Sequence, residues 1–112
     1  MKRYIVSIPT DSVGRAIQRD FREVGFCLGD VREVARRIGA TTQINRNDLG
    51  EYFVLELLLD GMALQLVGLV PFAAESFVIV ADPKEAIRAT EAVQALIADI
   101  GYPANRVQSR AT

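Results

Sequence analysis

Residues 55–59 and 62–66 are two apolar runs separated by Asp60-Gly61, and each is interrupted once by a polar residue, Glu56 and Gln65. Asp-Gly between apolar runs signals a two-residue hairpin turn, because that turn needs positive φ at its central positions. Such a loop sets Leu59 against Met62, Leu57 against Leu64 and Leu55 against Leu66. It also sets Glu56 directly against Gln65, so the two polar exceptions share one outward face. A helix is the competing reading: Asp48 with Glu51 resembles a capping box, and the leucine-rich run then ends at Gly61. That helix is apolar almost all round, with nothing to pair its exceptions. The hairpin is therefore the expectation, and it commits the middle of the chain to antiparallel sheet.

The flanks alternate strand and helix. Residues 3–8 are rich in β-formers and stop at Pro9, which predicts a strand. Residues 10–12 offer N-caps for a helix over about 12–24 closed by Gly25. Val13, Ala16, Ile17, Phe21 and Val24 share one face of it. Asp30 caps a second short helix, with Val31, Val34, Ala35 and Ile38 as its apolar stripe and Gly39 as its end. Residues 77–81 predict a buried strand. Asp82-Pro83-Lys84-Glu85 then combines an N-cap, a first-turn proline and an early glutamate. The helix they open buries Ala86, Ala89, Val93, Leu96, Ile97 and Ile100 and ends at Gly101. Residues 104–112 read as a weak edge strand or loose tail. The expected fold class is α+β: a mostly antiparallel sheet with helices packed on one face, ferredoxin-like or related. Half of the 112 residues are hydrophobic, enough for one domain, 1–112, with its own core.

The chain has no histidine and a single cysteine, Cys27. The commonest metal ligand and the most versatile acid–base group are both missing. Ser-His-Asp and Cys-His nucleophile systems are excluded with them. No catalytic residue, metal ligand or cofactor is assigned, and a binding role is expected over an enzymatic one. Cys27, between Phe26 and Leu28, reads as a small buried hydrophobe. Lys2-Arg3 precedes an apolar stretch too short for a signal peptide, so the expected location is the cytoplasm, with no membrane partner.

Net charge is −1, which provides no bulk attraction to nucleic acid. Charge along the chain is uneven. Residues 1–50 carry nine basic against six acidic side chains, and residues 51–112 carry four against eight. Two candidate partner-binding sets follow. Arg15, Arg19 and Arg22 line one face of the expected first helix, a spacing suited to carboxylates or phosphates, with Arg32, Arg36 and Arg37 on the next. Glu51, Glu56, Glu75 and Asp82 are the acidic alternative. Asp20 falls within the apolar face of the first helix, where burial requires a partner such as Arg36 or Arg37.

Three resemblances bear on function. The strand at residues 4–8, the turn Asp11-Ser12-Val13-Gly14 and the helix closed by Gly25 resemble the opening of ACT-type amino-acid-binding domains. That resemblance implies a ligand at the helix N-terminus. The overall layout, with Ala74-Glu75-Ser76-Phe77-Val78-Ile79-Val80 leading into a long final helix, is similar to immunity proteins of contact-dependent inhibition systems. Residues 30–39 look like the first helix of helix-turn-helix DNA readers, although Asn45 stands where such motifs carry an apolar residue. The leading expectation is a small non-enzymatic protein that binds another protein, as an immunity protein or inhibitor occluding a toxin or enzyme. The alternatives are an ACT-like regulator and, third, a DNA-binding regulator. Homo-oligomers are compatible with all three.

Overall fold

The apolar runs flanking Gly61 form an antiparallel hairpin, β4 (Gly50–Leu59) and β5 (Met62–Leu69). The computed structural model containing it describes residues 5–6, 21–47, 50–59, 61–72 and 74–109. Leu59 faces Met62, Leu57 faces Leu64, Leu55 faces Leu66 and Glu56 faces Gln65, the register expected from the polar exceptions. Gly61 has φ 78°, a turn conformation that an L side chain would strain. Glu56 and Gln65 point away from the helices, but both are half-buried rather than freely solvated. Gln65 Nε2 donates to Glu56 Oε1 at 3.4 Å, and Glu56 Oε2 is buried without a hydrogen-bond partner among the described residues.

The hairpin extends on both sides. β6 (Ser76–Ala81) pairs with β5, β2 (Arg22–Leu28) with β6, and β7 (Val107–Ser109) with β2. On the other edge, β1 (Ile5–Val6) and β3 (Gln43–Asn47) both pair with β4. The seven strands among the described residues make one sheet in which every pairing is antiparallel, and β3 to β6 form a continuous meander.

Two expectations are corrected. Residues 22–24, assigned to the first helix, begin β2, and Gly25 lies inside that strand instead of closing a helix. A bulge between Glu23 and Gly25 turns both Val24 and Gly25 into buried positions. It thereby erases the strict alternation that marks a strand. The rest of that helix assignment, with Arg15, Arg19 and Asp20 and the Asp11–Gly14 turn, lies outside the described residues. Residues 43–47 form β3, so no second helix follows α1 as a helix-turn-helix reader requires.

The other local signals act as read. Asp30 caps α1 (Val31–Ile38) through the Arg32 backbone N–H at 2.9 Å, and Gly39 ends it in the left-handed conformation, φ 76°. Asp82 caps a 3-10 turn, residues 83–85, that leads into α2 (Ala86–Asp99). Both helices pack on one sheet face. Val31, Val34 and Ala35 of α1 and Ala89, Val93, Leu96 and Ile97 of α2 close over Leu55, Leu57, Leu64, Leu66, Phe77 and Ile79. Val107 joins this core from β7, so the start of the C-terminal segment is an edge strand and not a loose tail.

Candidate binding surfaces

Strand direction brings exposed apolar side chains to one end of the sheet. β2 ends there at Leu28, β5 at Leu69, and β6 begins at Ser76, which pairs with Leu28. The connection from β5 to β6 runs through a 3-10 turn, Val70–Phe72. It is tied down by the Glu75 N–H to the Phe72 carbonyl at 2.9 Å and by the Gly29 N–H to the Glu75 carbonyl at 2.8 Å. Leu28 (50 % exposed), Leu69, Val70 and Phe72 (55 % exposed) therefore crowd one end, with Ile44 of β3 beside it. Ile87, at the start of α2, is the exposed large hydrophobe away from this end. Scattered exposed apolar residues are ordinary, whereas a cluster at one end of a fold is characteristic of a contact surface.

Charged groups rim the apolar end. Asp30 and Arg32 pair at 2.8 Å and Arg46 and Glu51 at 3.4 Å. Arg32 also lies over the Phe53 ring, 4.9 Å from its centroid. Glu75 is exposed and makes no ion pair among the described residues.

A second cluster joins the end of α1 to the segment after α2. Tyr102 carries Arg37 at 4.5 Å and Arg106 at 4.8 Å from its ring centroid, within cation–π range. Arg37 is fixed further by its Nη1 donating to the Ile100 carbonyl at 2.7 Å and its Nε to Glu33 at 3.2 Å. Glu33 also accepts two hydrogen bonds from Arg36, and these bonds, followed by Arg37's, pull its carboxyl down to about 2. Arg36 is held protonated chiefly by its hydrogen bonds to Glu33. The Arg106 backbone N–H donates to the Pro103 carbonyl at 3.2 Å, whereas its guanidinium makes no hydrogen bond or ion pair among the described residues.

The residues singled out from sequence do not assemble into one face. Arg22 is exposed at the start of β2, where it donates to its neighbour's Phe21 carbonyl; Arg15 and Arg19 lie outside the described residues. Glu51 and Glu75 sit at the apolar end, Glu56 is half-buried on the opposite sheet face, and Asp82 caps a turn at the far end of β6. Sequence reasoning missed both surfaces described above. The continuous apolar stretch from Leu66 past the end of β5 was the available signal for the first. Nothing local links Arg106 to Arg37 across 69 positions.

Among the described residues, no three Cys, Asp or Glu side chains converge as a metal site requires, and no helix is long and apolar enough to cross a membrane. No family model matches this chain, and no curated protein or solved structure matches it.

Proposed function

We propose that this chain is a non-enzymatic protein-binding module, an inhibitor or immunity protein that acts by covering a site on a toxin or enzyme. The observation that carries this is the gathering of Leu28, Leu69, Val70 and Phe72 at one end of the sheet. An apolar centre with a charged rim is the anatomy of a protein interface. Glu75, beside the cluster and without an ion pair among the described residues, favours a partner whose own apolar patch is edged by lysine or arginine. The layout resemblance to immunity proteins of contact-dependent inhibition systems agrees with this reading. A cytoplasmic setting fits a free, buried thiol at Cys27.

The test compares wild type, Leu28→Asp/Phe72→Asp and Ile87→Asp. A partner captured by wild type from the source organism's lysate is purified, and its affinity for each variant is measured. The double variant is expected to bind about thirtyfold more weakly or worse, the scale of a lost hot spot. Ile87→Asp is expected to bind normally, with thermal unfolding verifying that every variant is folded. Equal binding by the double variant overturns the proposal. So does chemical conversion of the captured partner, or a double variant that loses only self-association.

A further inference from the structure

We propose that Arg106, together with Tyr102, Arg36 and Arg37, forms an oxyanion-binding site, which borders the apolar end near Leu28 and Gly29 but does not depend on the protein-binding proposal. Two guanidiniums 69 positions apart in the chain, Arg37 and Arg106, lie over one phenol, and Arg36 stands next to Arg37 on the Glu33 carboxylate that both of them bind. Glu33 is already engaged by Arg36 and Arg37. Arg106 is different. It is half-buried and lies over the face of the Tyr102 ring, yet its five side-chain N–H donors meet no acceptor among the described residues.

Stacking matters to what Arg106 can do. A guanidinium pressed on an aromatic face keeps its N–H edge directed sideways, in the plane where a carboxylate or phosphate accepts two parallel hydrogen bonds. The stack also restricts the side chain before any ligand arrives, which lowers the entropy lost on binding. Two glycines border the cluster. A β-carbon on Gly29 would lie 3.8 Å from Arg106 Nη1, and one on Gly101 would lie 3.4 Å from Arg37 Nη1. Both glycines have positive φ, 138° and 98°, so the backbone itself keeps side chains away from these two guanidiniums. Arg106 supplies the bidentate contact, the Tyr102 hydroxyl a further donor, and Arg36 and Arg37 the surrounding positive field.

The oxyanion has two sources, a free phosphate ion or the carboxylates of an acidic peptide, and the experiment separates them. Side-chain NMR of the Arg106 Nε–H and Tyr102 ring protons is followed at constant ionic strength. One titration uses sodium phosphate and the other a glutamate-rich hexapeptide. A saturable shift with either probe is expected, and the probe that produces it identifies the source. Arg106→Ala is expected to weaken that binding about tenfold or more. Arg46→Ala, which removes a guanidinium on another face, is expected to leave it unchanged. Arg106→Lys keeps the stem and the charge without the planar fork and is expected to bind weakly while folded, so a destabilised alanine variant does not blunt the test. Absence of a saturable shift with both probes into the tens of millimolar overturns the proposal, as does unaltered affinity in both Arg106 variants.

Discussion

A β-carbon at position 25 would sit 2.7 Å from the Gln108 carbonyl oxygen and 3.4 Å from both Ile79 Cδ1 and Thr90 Oγ1. The close approach of β7 to β2, and of α2 to both, therefore depends on a bare backbone at Gly25. Gly25→Ala is expected to lose about 1–3 kcal/mol, the usual cost of overpacking, read as a lower urea midpoint with an unchanged slope. Cys27 is a second residue whose surroundings set its behaviour. Burial raises its thiol from 9.0 to about 11, opposed by the charge of Arg106. Between those values the unfolded chain has lost a proton that the folded chain retains, so stability falls as pH rises from 9 towards 11. Urea midpoints just below pH 9 and at about pH 10 should drop further in wild type than in Cys27→Ala. Equal drops would mean that the thiol ionises alike in both states.

The elements written in local signals were legible, and those defined by distant partners were not. The β4–β5 hairpin was readable because Glu56 and Gln65 mark its register on both sides of one turn. α1 was readable because its cap, stripe and terminal glycine fall within ten residues. β2 was misread because its bulge hides the alternation, and because both its partners, β6 and β7, lie about fifty to eighty residues away. β3 is short and polar, with Ile44 its one apolar residue, and only its pairing with β4 makes it a strand. The arginine–tyrosine surface was illegible for the same reason, since Tyr102 meets Arg37 only through the fold. Two predictions belong to these elements. Within α1, the hydrogen bonds of Arg36 and Arg37 lower Glu33 from 4.5 to about 2. A depressed carboxylate contributes stability above its unfolded value and loses it as pH falls through the folded one. Glu33→Gln should therefore flatten the part of the acid-unfolding profile between 4.5 and about 2, by a small amount because the pairs are exposed. Within the hairpin, Glu56 Oε2 is buried with no partner among the described residues, whereas Oε1 accepts from Gln65. Glu56→Gln keeps the acceptor and removes the charge, so it should stabilise the protein by on the order of 1 kcal/mol. A lower urea midpoint for that variant would show that the carboxylate has a favourable partner.

At the scale of the whole molecule, the described residues of the two halves interleave, so their uneven charge along the sequence is not separated in space. β2, from the first half, lies between β6 and β7 from the second, and β3 lies against β4. Ion pairs also neutralise locally: Asp30 with Arg32, Glu33 with Arg36 and Arg37, Arg46 with Glu51, and Glu85 with Arg88. With a net charge of −1, the molecule has little long-range field with which to steer a partner. If the apolar end makes the contact, affinity resides in desolvated side chains and is controlled by the dissociation rate. The association rate with the captured partner should then change less than about tenfold between low and high salt, outside the range of steered encounters. Phe72→Asp should act mainly by speeding dissociation, and Glu75→Gln mainly by a modest change in association. Stopped-flow association at several salt concentrations, with surface-bound dissociation for each variant, measures both. An association rate that collapses a hundredfold with added salt would show strong electrostatic steering, and Arg15→Ala/Arg19→Ala/Arg22→Ala would then be the variant to identify its source.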